Sequence, residues 1–346
     1  MTDEPAGSAV TSTAPPGGLM AAEIAEQPEV LGSLLARAPE LAEVAAALAR
    51  REPRFMLVTA RGTSDHAALY AKYLVEIRHG RPAGLVSPST MTVYGARPDL
   101  SGVLFVAVSQ SGGSPDLAES TAVARSCGAT TVAVTNSGGS ALAAAAEFAV
   151  DLGAGPERAV AATKTYTAEL LALYLLLGGS PDAARPLPEA AAKTLAGAGA
   201  AYAAAARYRF ANRLVTTGRG YSYPAACEGA LKLMETSYLS AHAFSTADLL
   251  HGPVAMLDSA VPVIAVVSPG QGGEAARPVV ARLRETGADV LVVGTGDLPI
   301  AAEGLPEELL PMLEIMPLQQ LAWRLAIDRG GDPDRPRGLS KVTRTR

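Results

Sequence analysis

Short apolar runs alternate along the chain with longer segments of helical character. Residues 103–108 form the clearest apolar run, and residues 115–127 form the helical segment that follows it. An apolar run of this length, rich in β-branched residues, is typical of a buried parallel strand. Pro115 suits the first turn of a helix, where its missing N–H is not needed. The pattern therefore predicts strand–turn–helix units, which are the building blocks of an α/β protein.

The same order of elements occurs twice in the chain. The segments at residues 58–64, 103–109 and 131–134 match those at residues 215–222, 264–268 and 290–293. The three matches share a register shift of about 160 residues, which is longer than a solenoid repeat and closer to a duplicated lobe. We therefore predict two repeated α/β lobes, each with a parallel sheet flanked by helices.

Composition divides the chain into further parts. Residues 1–19 are rich in Ser, Thr, Pro and Gly and lack the basic region and apolar core of a signal peptide. We therefore expect a disordered tail and a cytoplasmic protein. Residues 20–185 are expected to form the first lobe, with the phosphate site, and residues 186–330 the second. The Ala-rich stretch at residues 190–206 is predicted to be a helix that bridges the lobes.

Charge and cysteine content disfavour several classes of protein. The net charge is −5, and Lys and Arg form no dense basic stripe before the last few residues, which argues against nucleic-acid binding. The Ala-rich runs are interrupted by charged residues, Gly or Pro, so no segment is expected to span a membrane. Cys127 and Cys227 are isolated, and the few histidines have no metal-type spacing. We expect neither a metal nor another cofactor.

The turn after the first central strand has the composition of a phosphate site. It carries Ser109, Gln110, Ser111, two glycines and Ser114. Backbone N–H groups at a helix N-terminus attract anions, and serine hydroxyls add neutral donors. Taken alone, the segment is equally consistent with a solvated Ser/Gly turn. The corresponding turn of the second half, residues 268–273, lacks two of these hydroxyls and one N–H, at Pro269. We therefore predict one phosphate site per chain.

Several motifs, in order along the chain, resemble those of the sugar isomerase (SIS) family. They are Glu-Ile-Ala-Glu-Gln-Pro at 23–28, Gly-Thr-Ser at 62–64, Ser-Gln-Ser-Gly at 109–112, Ala-Thr-Lys at 162–164, Glu-Gly-Ala-Leu-Lys-Leu at 228–233, His-Gly-Pro at 251–253 and Pro-Arg-Gly-Leu-Ser-Lys at 336–341. From about Met20 onward, the chain is similar to the isomerase half of glucosamine-6-phosphate synthase. Its ending, residues 338–343, is closer to stand-alone SIS-type glucosamine-6-phosphate deaminases.

The resemblance implies a phosphosugar substrate and the residues that bind it. The implied substrate-binding residues are Thr63, Ser64, Ser109, Gln110, Ser111, Ser114, Val160 and Ser340. Ligands of parallel sheets bind at the carboxyl ends of the strands, where both Ser/Thr turns are expected. Ala162 departs from the synthase, which has a serine at this position, and this leaves the identity of the sugar open.

Candidate acid–base groups occur in the second half. Glu228, Lys232 and Glu235 are spaced i, i+4 and i+7, which places them on one helix face. Without the family, such a set is more often a solvated Glu–Lys pair. The resemblance implies that Glu235 moves a proton between sugar carbons 1 and 2, and that Glu228 and Lys232 orient the site. A carboxylate within hydrogen-bond reach of the carbon-bound proton suits this chemistry.

Two further residues are implied by the resemblance alone. His251 precedes a Gly-Pro turn, and in the family this histidine opens the sugar ring from the neighbouring subunit, which implies a homodimer. Lys341 occupies the position of the lysine that forms a Schiff base with the open-chain sugar or stabilises that form, in a tail (residues 331–346) that closes over the substrate. A neutral amine is needed for Schiff-base formation. His66, His79 and His242 have no comparable motif and are interpreted as ordinary residues.

The number of residues before the first family motif leads to an expectation about the direction of the reaction. The residues before Met20 are too few for a glutaminase domain, so we expect removal of the amine from glucosamine-6-phosphate rather than its addition. One alternative is a lyase that dehydrates N-acetylglucosamine-6-phosphate by C2–C3 elimination, because an acetylated nitrogen cannot form the imine. Another is a non-catalytic phosphosugar-binding module.

Overall fold

Two parallel five-stranded sheets form the framework of the structure, a computed structural model that describes residues 15–341. The first sheet has the order β2-β1-β3-β4-β5 and the second the order β7-β6-β8-β9-β10. The strands are β1 (Phe55–Thr59), β2 (Ala83–Leu85), β3 (Val103–Ser109), β4 (Thr130–Thr135), β5 (Phe148–Asp151), β6 (Arg213–Gly218), β7 (Ser240–Ser245), β8 (Val263–Val267), β9 (Val290–Gly294) and β10 (Leu298–Pro299). The matching strand orders confirm the two repeated α/β lobes.

Helices surround both sheets. Those of the first half are α1 (Gly18–Ala25), α2 (Gln27–Ala36), α3 (Ala38–Ala49), α4 (Thr63–Arg78), α5 (Ser89–Thr92), α6 (Pro115–Ser126), α7 (Ala141–Ala145), α8 (Lys164–Leu176) and α9 (Pro181–Ala184). Those of the second half are α10 (Leu187–Ala196), α11 (Ala198–Tyr208), α12 (Ser222–Ser237), α13 (Thr246–Leu250), α14 (Gln271–Glu285) and α15 (Pro311–Asp328), with short 3-10 helices at Pro253–Met256 and Glu307–Leu309.

Three local expectations differ from the structure. The Ala-rich stretch forms two helices, α10 and α11, with Gly197 between them, because glycine is a poor helix former. The edge strands β2, β5, β7 and β10 were not predicted, since they are short or carry polar residues. Residues before Met20 also have defined contacts: the backbone N–H groups of Gly17 and Leu19 donate hydrogen bonds to the carboxylates of Asp332 and Asp334. The expected tail at residues 1–14 lies outside the described residues.

Two helices with unusual burial lie in the core between the sheets. Every residue of α8 is buried, and α15 is buried along most of its length. A helix that is apolar on all sides is typical of such an interior position. Leu170 of α8 and Leu318 of α15 belong to one apolar cluster that extends through both lobes. The same helices also bury the carboxyl groups of Glu169 and Glu314.

The topology of the first sheet creates a crevice between its central strands. Strands β1 and β3 are neighbours, but α4 leads from β1 to β2 on one side and α6 leads from β3 to β4 on the other. Ligands of open parallel sheets bind at such a switch point, outside the carboxyl ends of the strands. The second sheet has an equivalent switch point between β6 and β8.

Candidate active site

A cavity of about 290 Å³ lies at the switch point of the first sheet. It is lined by ten of the residues singled out from the sequence: Thr63, Ser64, Ser109, Gln110, Ser111, Ser114, Val160, Glu235, Ser340 and Lys341. Glu228 and Lys232 lie behind this lining and contact it through hydrogen bonds. His251 is exposed beside α13 and is not among the lining residues of this chain.

The turn after β3 has a conformation that requires glycine. Gly112 has a φ of 59°, and a Cβ there would lie 2.1 Å from Ser140 Oγ. The Ser109 hydroxyl accepts a hydrogen bond from the Gly112 N–H at 3.2 Å, and the Ser111 hydroxyl accepts one from the Gly113 N–H at 3.2 Å. These contacts fold the turn back on itself and bring its hydroxyls to the cavity.

Three helix N-termini face the cavity. Thr63 and Ser64 begin α4, Ser114 is the N-cap residue of α6, and Thr165 lies in the first turn of α8. The partial positive charge at each helix start favours an anion. Arg61 adds a full positive charge at the rim, where Asp116 holds its guanidinium at 2.8 Å. The arrangement suits a phosphate group.

The equivalent turn of the second lobe is filled by the protein itself. The Glu307 carboxylate accepts hydrogen bonds from the N–H groups of Gln271 at 2.9 Å and Gly272 at 2.8 Å, at the start of α14. A side-chain anion thus occupies the place that the first lobe leaves open. This closure agrees with the expectation of one phosphate site per chain and adds a reason that the turn sequence alone did not contain.

A buried charge cluster on α12 links the acid–base residues to the phosphate turn. Lys232 Nζ lies 3.2 Å from Glu228 Oε1 and 2.6 Å from Glu235 Oε2, so the three residues do share one helix face. The Thr63 hydroxyl accepts from Lys232 Nζ at 3.0 Å and donates to Glu228 at 3.0 Å. His66 Nδ1 lies 2.7 Å from Glu228 Oε2. The cluster therefore joins α4 of the first lobe to α12 of the second.

The protonation states within this cluster follow from burial and pairing. Burial alone would raise the pKa of Glu228, but the Lys232 ammonium and the hydrogen bond from His66 outweigh it and lower that pKa. Burial would likewise lower the pKa of Lys232, yet the carboxylates of Glu228 and Glu235 raise it above its ordinary value. Lys232 is therefore a permanent cation that stabilises two carboxylates, of which Glu235 reaches the cavity.

Glu157 is a further carboxylate near the cavity, and it holds the loop before α8 through hydrogen bonds. It accepts hydrogen bonds from the N–H groups of Thr163 at 2.9 Å and Thr165 at 3.1 Å. It also accepts one from Lys341 Nζ at 3.1 Å, while the same ammonium donates to the Ala159 carbonyl at 2.7 Å. This contact holds Lys341 at the cavity, where Leu339 and Ser340 also belong to the lining. Residues 342–346 of the expected tail lie outside the described residues.

The Ser64 hydroxyl has a partner inside the core. Ser64 Oγ and Glu169 Oε1 of α8 lie 2.8 Å apart, and Glu169 is fully buried. Burial raises the pKa of Glu169 well above its ordinary value, with Glu157 and Glu228 adding to the effect and the Ser64 contact opposing it.

Four side chains at or behind the cavity had no signal in the sequence motifs that were used: Arg61, His66, Glu157 and Glu169. His66 in particular was interpreted as an ordinary residue, and the structure instead places it against Glu228. Its partner is 162 positions away, so no local spacing could have found it.

Among residues 15–341, no helix is long and apolar enough to cross a membrane, and no group of three His, Cys, Asp or Glu side chains is arranged to hold a metal ion.

Comparison with known proteins defines the class. The model of the SIS domain matches residues 51–178 and 207–304, which cover both sheets. The chain therefore belongs to the SIS domain family. It is 34% identical over 337 residues to the glutamine–fructose-6-phosphate aminotransferase (isomerizing) of Methanothermobacter thermautotrophicus, covering 93% of this chain but only 56% of that relative. The chain thus spans little more than half of that protein's length.

Two solved structures show how far the likeness extends. A provisionally named phosphosugar isomerase from Silicibacter pomeroyi DSS-3 is 34% identical, with a TM-score of 0.81 over 91% of this chain and 99% of that one. A glucosamine-6-phosphate deaminase from Thermotoga maritima has a TM-score of 0.78 over 94% of this chain and 100% of that one. At 21% identity, the second comparison shows a shared fold only. The chain is a SIS-type protein related to phosphosugar isomerases.

Proposed function

We propose that this chain converts glucosamine-6-phosphate and water into fructose-6-phosphate and ammonia. The observation that carries the proposal is the Glu235 carboxylate, which opens on the same cavity as the Ser/Thr turns and three helix N-termini. The phosphate is bound by the turns of Thr63–Ser64 and Ser109–Ser114. The similarity to an aminotransferase that is named for fructose-6-phosphate supports an amino sugar and its ketose partner.

The proton transfer uses Glu235 as both base and acid. In the open-chain sugar the proton on C2 is acidic, because the aldehyde at C1 stabilises the negative charge that its removal leaves. Glu235 takes this proton and returns it to C1, while the C1 oxygen gains a proton and the nitrogen loses one, which leaves a hydroxyl group at C1 and an imine at C2. Water adds to the imine and ammonia leaves, so the reaction consumes one water. Lys232 Nζ lies 2.6 Å from Glu235 Oε2 and places a positive charge beside the carboxylate that accepts the proton.

The proposed direction of the reaction depends on the concentrations of water and ammonia. The same proton transfer runs both ways, but water is abundant and free ammonia is scarce. This difference in concentration favours deamination. Lys341, whose Nζ lies 3.1 Å from Glu157 Oε2, donates to the oxygen of the open-chain sugar in this proposal. To form a Schiff base it would first have to leave Glu157 and lose a proton.

His251 is assigned to ring opening in the neighbouring subunit of a homodimer. Its exposure beside α13 in this chain is compatible with that role. Mixing two inactive variants tests it. If the site is shared, a dimer of one Glu235→Gln and one His251→Asn chain has one doubly altered site and one intact site, so mixing after subunit exchange restores activity. If each site lies within one chain, mixing restores nothing and the assignment is wrong.

The reaction itself is tested by incubating the purified chain with glucosamine-6-phosphate and, separately, N-acetylglucosamine-6-phosphate, and by following ammonia and product mass. Ammonia together with fructose-6-phosphate supports the proposal. Loss of one water from the acetylated sugar without ammonia would replace it with the lyase. Glu235→Gln is expected to abolish turnover but not binding, whereas Glu274→Gln on the exposed face of α14 changes neither. An inactive wild type that still binds the phosphosugar would indicate the non-catalytic module.

A further inference from the structure

The direction of the hydrogen bond between Ser64 and Glu169 decides whether the Ser64 hydroxyl hydrogen can reach a bound phosphate. Ser64 lines the cavity, and its hydroxyl has a single hydrogen to donate. If that hydrogen points to an ionised Glu169, the serine presents only lone pairs to the phosphate, and these repel an anion. If Glu169 is protonated, its own O–H donates to Ser64 Oγ, and the serine hydrogen is available for the phosphate.

The surroundings of Glu169 favour the protonated form. Its side chain is fully buried, and Oε2 has no hydrogen-bond partner among the described residues. The nearby ionisable groups are Glu157, Glu228, Lys232 and Tyr166. Lys232 is already paired with Glu228 and Glu235, and the two glutamates add negative charge. A carboxylate without a counter-ion in such an interior is costly, so the group remains neutral.

We propose that Glu169 is a positioning residue for the phosphate site: its protonated carboxyl group donates to Ser64 Oγ and directs the Ser64 hydroxyl hydrogen into the cavity. No proton is transferred, and one hydrogen bond sets the direction of the next. The inference rests on the proposed function only in taking the occupant of the cavity to be a phosphate ester. It holds for any phosphosugar, whichever reaction follows.

The second lobe repeats the pair and provides a matched control. Ser222, at the start of α12, lies 2.7 Å from Glu314 Oε1 of the buried helix α15. Burial raises the pKa of Glu314 to about 7, with the neighbouring Ser268 and Ser222 hydroxyls opposing the effect. This pair is not part of the cavity lining, and the Glu307 carboxylate fills the anion site of that lobe. A change at Glu314 therefore tests the effect of altering such a pair without altering the phosphate site.

The experiment measures protonation and anion affinity separately. An infrared difference spectrum of wild type minus Glu169→Gln at pH 7.5 is expected to contain the C=O band of a protonated carboxyl group, and to retain it when sulfate is added. Sulfate serves as the probe for the phosphate site because it is a dianion at pH 7.5. Carboxylate bands in place of the protonated band would overturn the proposal.

Affinity for sulfate and for glucitol 6-phosphate is measured by calorimetry. Glu169→Gln, which keeps a donor at the same place, is expected to bind both within about twofold of wild type. Glu169→Asp, whose shorter carboxyl cannot reach Ser64, and Ser64→Ala are each expected to bind about tenfold more weakly, since a hydrogen bond to a charged group is lost. Glu314→Asp is expected to bind as wild type does.

The outcomes separate the two proposals. Equal affinity of Glu169→Asp and wild type, with thermal melting showing both folded, would overturn the role of Glu169. Sulfate binding with the expected variant pattern, but no ammonia from glucosamine-6-phosphate, would leave this inference standing and refute the proposed reaction. A wild type that binds neither probe would refute both.

Discussion

Replacing Lys232 by Met tests whether its ammonium group stabilises the two carboxylates of α12. Lys232 is fully buried, and its Nζ lies 3.2 Å from Glu228 and 2.6 Å from Glu235. At an effective dielectric constant of about 20, one such pair attracts by about 5 kcal/mol before desolvation is subtracted. Removing one partner of a buried pair costs about 3–5 kcal/mol, because the other charge is left uncompensated. We expect a loss of about 3 kcal/mol, the lower end of this range, since 20% of the Glu235 side chain is exposed and water can solvate it.

The pH dependence has a definite sign. In the wild type the pKa of Glu228 is lowered, so its contribution to stability is present above its unfolded pKa and is lost as the pH falls. In the Lys232→Met variant, burial without the ammonium raises the pKa of Glu228. Protonation at lower pH then relieves the uncompensated charge. The difference in unfolding free energy between wild type and variant is therefore largest near pH 8 and narrows towards pH 5.

Urea unfolding, followed by circular dichroism between pH 5 and pH 8, measures this difference. Lys193→Met is the matched control, because Lys193 forms an i,i+4 pair with Glu189 at 2.7 Å in which both side chains are exposed. We expect no measurable change in the control. The electrostatic account of the cluster would be refuted if Lys232→Met were as stable as wild type at pH 8. It would also be refuted if the difference in unfolding free energy between them grew as the pH falls.

Three further predictions concern the turns and the tail. Glu307→Ala removes the acceptor of two N–H groups at the start of α14 and is expected to lower the unfolding free energy by about 1–3 kcal/mol. In a thermal melt, added sulfate is expected to stabilise this variant more than wild type. Gly112→Ala places a Cβ 2.1 Å from a neighbouring hydroxyl and is expected to weaken glucitol 6-phosphate binding by about tenfold or more, while Gly139→Ala, in open space, leaves it unchanged. Glu157→Gln weakens the contact to Lys341, so trypsin is expected to cleave the tail faster; an unchanged rate would contradict the role of this contact.

Patterns along the chain predicted the two-lobed architecture, although not the four edge strands. The apolar run of β3 and the repeat at the positions of β6, β8 and β9 predicted two parallel sheets, because strand and helix periodicity are properties of neighbouring residues. The i, i+4, i+7 spacing likewise placed Glu228, Lys232 and Glu235 together, since one helix sets their distances. The family resemblance supplied most of the other residues that line the cavity, but not Arg61 or Thr165.

Tertiary structure decided the contacts that tune the site. Ser64 meets Glu169 across 105 positions, and His66 meets Glu228 across 162. Glu307 closes the second anion site from 35 positions beyond Gly272. Such pairs depend on how α8, α12 and the sheets pack, which no spacing along the chain encodes. Burial itself is a property of the packed molecule, and it determines which carboxyl groups remain neutral and which are held as anions.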